Sequence, residues 1–152
     1  MLNLYVDFDG CPVKQEIFRV AERYGLQVTL VANSWSQVPA CDWISLVVVK
    51  DHLNAADDWI AENAAEDDIV ITADVPLASR CLANSARVLG PKGRAFTDET
   101  IGDALASREL MSHLRETGTI TGGPAPFAPK DRSMFLQKLD ETIQAIRRKT
   151  NN

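Results

Sequence analysis

The sequence predicts an α/β protein: a three-layer α/β/α sandwich around a central, mostly parallel sheet, Rossmann-like in its winding, with a helical C-terminal part. Three observations carry this expectation. Apolar strand-like runs alternate with helical periodicity from residue 2 to about residue 90, the order that builds right-handed crossovers between parallel strands. The runs are apolar throughout rather than alternating, as strands covered on both faces are. From Thr97 onward only helical spacing remains. With 152 residues, 45% apolar and 24% charged, the chain has the size and composition of one soluble domain. We read a single domain over 1–152, with a sheet-forming part at 1–90 and a helical part at 97–149, and no internal repeat.

Each element has its own local reason. Residues 2–8 form an apolar strand that runs through Leu4, Tyr5 and Val6 into Asp7. Pro12 suits a first helical turn. Val13, Ile17, Val20, Ala21 and Tyr24 then follow at helical spacing, and Gly25 stops the helix. Residues 26–32 (LQVTLVA) make a second strand, and 33–42, with Pro39, a loop. Residues 43–49 are β-branched enough for a third strand. Residues 54–65 are helical, with Ala56, Trp59, Ile60 and Asn63 on one side. Asp67 and Asp68 make a solvated turn before the fourth strand, IVITA. Residues 75–84 are helical again, and 86–89 form a short fifth strand. The helices at 97–116 and 132–149 flank TGTITGGPAPFAPKD, a loop rich in Gly, Pro and Thr. The tail, RRKTNN, is expected to fray.

Composition removes several function classes. Cys11, Cys41 and Cys81 are odd in number and form no C-x-x-C pair, which excludes a disulfide framework. His52 and His113 do not complete a structural zinc site. No stretch approaches the ~18 apolar residues of a membrane span. The start, MLNLYVDFDG, lacks the basic region of a signal peptide, so the cytoplasm is the expected location. The net charge of −5 is uneven: residues 1–86 carry 13 acids against 5 bases, residues 87–152 carry 8 against 11. That argues against a basic nucleic-acid coat and for a local arrangement, an acidic cluster beside a basic rim.

Ligands of open parallel sheets bind outside the carboxyl ends of the strands. The residues placed there are Asp7 and Asp9 after strand one, Asn33 and Ser34 after strand two, Asp57 and Asp58 at the helix after strand three, and Thr72 and Asp74 after strand four. Crowded carboxylates repel unless a cation compensates them, and Mg²⁺ or Mn²⁺ prefers such oxygen donors. Asp7, Asp57 or Asp58, and Asp74 are therefore the candidate metal ligands, for one or two ions. Asp7, Asp9 and Asp74 are the candidate catalytic acids, with Asp9 available to take the proton of an attacking water. Structural uses compete. Asp57 and Asp58 suit a helix N-terminus through its dipole, Asp74 suits an N-cap, and Asp9 suits a turn. Asp7 closes an apolar strand, where a bare carboxylate has little structural use.

Around these acids the candidate substrate contacts are Lys14, Asn33, Thr72, Lys92 and Arg94. Thr72 is placed to orient Asp74 or a water. Asn33 and Ser34 offer phosphate contacts or loop caps. Lys92 and Arg94 lie in the glycine-punctuated GPKGR turn, a phosphate grip or a solvated loop. Arg80 is placed to pair with an acid, and Glu16 faces an undetermined direction. Cys11, at a helix start, reads as a reactive thiol or as a small residue packed beneath the acids. Trp35 is a candidate for base stacking. TGGPAPF at 121–127 is a lid or a segment packed across the sheet, and it lacks the Lys-Ser/Thr pair of a phosphate-binding loop.

Two resemblances follow from these strings. VDFDGCPV resembles the first motif of haloacid-dehalogenase-type phosphatases, which implies Asp7 as nucleophile and Asp9 as general acid with Mg²⁺. Cys11 stands where that motif has Thr. More broadly, DFDGCPVKQEIFRVAERYGLQVTLVAN, AADDWIAENAAEDDIVITADVPLASRCL, GPKGRAFTDETIGDALASRELM and TGGPAPFAPKDRSMFLQKLD resemble the YaiI/YqxD family of bacterial proteins, over Leu4 to about Ile146. Phe8 and Gly10 stand at the two Ala positions of that family's DADACPV string. The family looks like a branch of the PIN-like nuclease superfamily. That implies a compact α/β/α sandwich and an acidic, Mg²⁺- or Mn²⁺-binding site for hydrolysis of RNA or DNA. Asp7, Asp57 or Asp58, and Asp74 match the implied acids. The resemblance thus implies a nuclease acting on nucleic acid, single-stranded RNA before DNA. The alternatives are the phosphatase and an acidic pocket that binds metal or RNA without turnover.

Overall fold

The structure, a computed structural model, describes residues 2–123 and 125–151. Its elements in order are β1 (Asn3–Asp7), α1 (Lys14–Tyr24), β2 (Gln27–Ala32), β3 (Ile44–Val48), α2 (Ala55–Asn63), β4 (Ile69–Ile71), α3 (Val75–Ala83), β5 (Arg87–Leu89), β6 (Ala95–Phe96), α4 (Ile101–Glu116) and α5 (Pro129–Asn151). The sheet order is β3-β2-β1-β4-β5-β6. Neighbouring strands run parallel except β6, which is antiparallel to β5.

Two cores explain the layers. On one face α1 and α5 lay Ile17, Phe18, Phe135, Leu139 and Ile143 against Leu4, Val6 and Leu30. On the other, α2, α3 and α4 lay Ile60, Leu77, Ala78 and Ala104 against Val31, Val70 and Val88. Adjacent strand residues thus feed opposite cores, which is why the strands read as continuously apolar. α5 buries Phe135, Leu139, Ile143 and Ile146, one stripe at spacings of four, four and three. Each fully buried side chain of this size contributes roughly 1.5–3 kcal/mol. α1 ends at Gly25, whose φ of 68° lets its N–H reach the Ala21 and Glu22 carbonyls, a left-handed cap that favours glycine. Among the described residues no helix is long and apolar enough to cross a membrane.

Three expectations change. The sheet has a sixth strand, Ala95–Phe96; two residues carry no readable period, and the turn before them supplies the pairing. The tail is helical through Asn151, because Ile146 is buried and Lys149 Nζ donates to Asp67 at 2.8 Å. Asp68 is not solvated: it is buried and accepts from the backbone N–H groups of Asn3 and Ala65, each at 3.0 Å. It closes the turn into β4 and ties that turn to the start of β1.

The strand order places β1 beside β4, with the chain winding outward from them in both directions. That is a topological switch point, and the crevice outside the carboxyl ends of its two strands is where such sheets bind ligands. β1 ends in Asp7; β4 leads through Thr72 to Asp74.

The candidate active site at the strand switch point

The site is built around one hydroxyl. Thr72 is 2% exposed. Its Oγ1 donates to Asp7 Oδ2 at 2.8 Å and accepts from the Asp74 backbone N–H at 3.0 Å. The end of β1 and the start of α3 are joined through this side chain. Thr72 is therefore held as a positioning group, its hydroxyl proton on Asp7 and one lone pair on the Asp74 N–H, which suits its orienting use. Asp74 caps α3, its Oδ1 accepting from Leu77 N–H at 2.8 Å. The capping role and a place in the acidic cluster are met by the same side chain, because its other oxygen has no protein partner among the described residues.

Asp7 carries the electrostatic strain. Its carboxyl is pushed up from 3.8 to about 6, first by burial, against the Thr72 hydrogen bond that lowers it, and then by the charges of Asp57, Asp74 and Asp9. Asp57 is also pushed up, by burial and then by Asp74 and Asp58, with Arg80 partly offsetting. Asp9 is exposed and stays on the rim, Oδ2 accepting from the Asn33 backbone N–H at 2.8 Å.

The structure separates Asp57 from Asp58. Asp58 binds His52 Nε2 through Oδ2 and Arg80 through Oδ1, each at 2.6 Å. Those two partners hold its carboxyl below the ordinary range. Asp57 instead belongs to the group of acids that raise one another. Of the two, Asp57 is the available donor. The pairing of Arg80 with an acid was readable from the helix; the part of His52 was not, since nothing local ties it to a residue six positions on.

The remaining candidates are spread along the rim. Asp7, Asp9, Cys11, Thr72, Ala73 and Pro91 share a small cavity of about 60 Å³, so the turn at 90–94 borders the acids. In that turn Lys92 Nζ donates to the Ala125 carbonyl at 2.8 Å. The Arg94 guanidinium lies 4.9 Å from the centroid of the Phe96 ring. Gly93, at φ 88°, packs so near α5 that a Cβ would lie 2.9 Å from backbone atoms of Met134. Lys14 opens α1 close to Cys11 and is exposed. Asn33 contributes its backbone N–H rather than its side chain. Burial raises the Cys11 thiol, which suits packing beneath the acids and opposes a reactive thiolate. Trp35 is 72% exposed. Of the 121–127 segment, Pro124 lies outside the described residues; Phe127 packs on the first core and under the Arg132 guanidinium, 5.0 Å from its ring centroid. Glu16 points inward, 5% exposed and bound to Arg132 at 2.6 Å. Larger clefts, of about 400 and 550 Å³, open around Glu66 and Asp67 at the other end of the strands. There Lys149 and Arg87 neutralise Asp67.

Among the described residues no three His, Cys, Asp or Glu side chains stand close enough to hold one ion. A hard cation such as Mg²⁺ does not require that. It keeps several waters and takes one or two carboxylates together with phosphate oxygens. An oxygen-only set with free atoms on Asp7, Asp57 and Asp74, and mutual repulsion for a cation to relieve, fits that chemistry.

The sequence model of a family described as "Uncharacterized BCR, YaiI/YqxD family" matches residues 5–145. A UPF0178 protein of Nitrobacter winogradskyi is 53% identical over 147 residues, which cover 97% of this chain and 94% of that protein. One of Rhodopseudomonas palustris strain HaA2 is 55% identical, covering 97% and 90%. One of Rhodospirillum rubrum is 53% identical, covering 97% and 99%. No solved structure matches the chain.

Proposed function

For a chain that belongs to the YaiI/YqxD family, we propose that the acidic edge of the sheet is the centre of a Mg²⁺- or Mn²⁺-dependent nuclease, acting on single-stranded RNA in preference to DNA in the cytoplasm. The observation that carries the reading is Asp7: a partly buried strand-end carboxyl, raised to about 6 and ringed by Asp57, Asp74 and Asp9, at the fold's switch point. The likeness of the motif segments to the PIN-like superfamily supports the same chemistry.

In this reading Asp7, Asp57 and Asp74 are the ligands for one ion or two, each ion taking one or two of these carboxylates and completing its shell with waters and phosphate oxygens. A divalent ion bound there supplies charge neutralisation and polarises a phosphate oxygen. The chain's own groups do the rest. Thr72 fixes the Asp7 carboxylate and the start of α3 together. Asp9, with one oxygen on the Asn33 N–H and the other open, takes the proton of the attacking water. Lys14, Lys92 and Arg94 hold the phosphates from the rim. The excess of acids over bases, 21 to 16, favours a local grip on one strand over broad duplex neutralisation.

The test is cleavage of labelled single-stranded RNA and DNA with Mn²⁺, Mg²⁺ or EDTA, beside an Asp7→Asn/Asp74→Asn double variant. A generic phosphomonoester is offered in parallel. Metal-dependent cutting lost in the variant supports the nuclease. Metal or RNA binding without cutting replaces it with a binding protein. Phosphomonoester turnover alone replaces it with the phosphatase implied by VDFDG.

A further inference from the structure

The outer edge of β3 has no partner among the described residues. β3 ends the sheet, paired only with β2. The bonds from Val28 N–H to the Trp43 carbonyl and from Val49 N–H to the Ala32 carbonyl fix the parity of the strand. Residues 43, 45, 47 and 49 turn their backbone groups toward β2, and Ile44, Leu46 and Val48 turn theirs outward. Only the Ile44 N–H is engaged elsewhere, in a long turn bond of 3.4 Å to the Cys41 carbonyl. Leu46, Val47 and Val48 are only part-buried. An open apolar edge of this length is an association surface unless something covers it.

The geometry points to a second copy of this chain as the occupant, joined β3 to β3 antiparallel about a two-fold axis at Leu46. Two independent features select that register. First, it sets 44 opposite 48 and 46 opposite 46, so outward-facing backbone groups meet outward-facing groups; a register shifted by one residue would set them against groups already bonded to β2. Second, the run is bracketed by opposite charges, D-WISLVVV-K. The same centre puts exposed Asp42 opposite Lys50 of the second copy, and Lys50 opposite its Asp42. Opposite charges directly across a strand pair stabilise it. A two-fold interface must be self-complementary, and this edge is. A groove of about 350 Å³ flanks the strand between α1 and the 33–42 loop, floored by Phe18, Trp43 and Ile44. It gives Val48 and Lys50 of the second copy a place beside the start of β3.

The product is a continuous twelve-stranded sheet. Strand direction reverses at the axis, so the two Asp7 edges face opposite ways and each remains open. The surface is separate from the acidic site, and the inference does not depend on how that site is used.

The experiment is sedimentation equilibrium of the full chain across concentration, on wild type and three variants. The expected wild-type species has twice the 16.7 kDa chain mass. Val48→Pro removes an outward N–H that β2 does not use, so it should give a monomer with an unchanged far-UV spectrum. Asp42→Lys places like charges opposite each other at both ends and should weaken the dimer by about tenfold. Asp42→Lys/Lys50→Asp restores opposite charges and should recover it. A wild-type monomer at every concentration overturns the inference, whether the edge is left bare or taken by an extended peptide of another protein. So does a dimer indifferent to Val48→Pro and to the charge swap.

Discussion

Asp7→Asn should make the metal-free protein more stable while removing its response to metal. In the folded chain the Asp7 carboxyl titrates near 6 against an ordinary 3.8. A difference of about two pH units corresponds to roughly 3 kcal/mol if realised in full, and to about 1–2 kcal/mol after allowing for solvent at a partly open site. The sign follows from proton counting. Between pH 4 and 6 the folded state holds the Asp7 proton and the unfolded state has released it, so stability falls as pH rises through that window. Above pH 6 the penalty is fully present; below 4 it is gone. Asparagine removes the charge, and its carbonyl still accepts from Thr72. In EDTA at pH 7.5, Asp7→Asn should therefore melt about 2–8 °C higher than wild type, and the difference should vanish near pH 4. Adding Mn²⁺ at a hundredfold excess over its Kd should then stabilise wild type by about 2.7 kcal/mol and the variant by almost nothing. The measurement is thermal unfolding at both pH values, with and without Mn²⁺. If the variant is less stable than wild type in EDTA at pH 7.5, or gains equally from Mn²⁺, the reasoning about an unrelieved acidic cluster fails.

The other expectations concern single groups. Asp57→Asn should lower metal-dependent cleavage by at least about 100-fold, whereas Asp58→Asn, which breaks only the contacts with Arg80 and His52, should change it less than about threefold; initial rates decide. Thr72→Val keeps the shape but strips the Asp74 N–H of its acceptor. It should cost about 1–3 kcal/mol in chemical denaturation, and the Asp7 carboxyl, losing the bond that lowers it, should titrate higher still by carboxyl NMR. Gly93→Ala combines a left-handed φ of 88° with a 2.9 Å approach to Met134 and should cost about 1–3 kcal/mol. Gly10→Ala, at φ 72° with open space around it, should cost no more than about 1–2 kcal/mol; paired melts test the contrast.

The elements that announced themselves were those whose own residues decide their state. Gly25 stops α1 and Asp74 starts α3 by local geometry, and both are visible in sequence. Five apolar runs between helices forecast a covered parallel sheet, because a strand buried on two faces has no polar side to alternate with. What stayed hidden depended on distant partners. β6 is a strand only because β5 and the turn at 90–94 bring Ala95 and Phe96 into register. Asp68 looks like any turn acid until Asn3, 65 residues away in sequence, donates to it. The tail is helical through Asn151 because Lys149 finds Asp67 across the fold.

The same distinction governs the site. Asp7 and Asp74 were singled out by the rule that open parallel sheets bind ligands outside the carboxyl ends of their strands, and that rule needs only the element order along the chain. Choosing Asp57 over Asp58 needed more. The two are adjacent on one helix and equal in propensity, dipole and charge, so no pattern within α2 can rank them. The difference comes from α3, which brings Arg80 to Asp58 and leaves Asp57 among other acids. A carboxylate with its own cation is stabilised as an ion and has nothing to gain from a metal; one crowded by like charges has everything to gain. A candidate metal ligand of this kind is therefore marked by the partner it lacks, and a missing partner is a property of the folded neighbourhood.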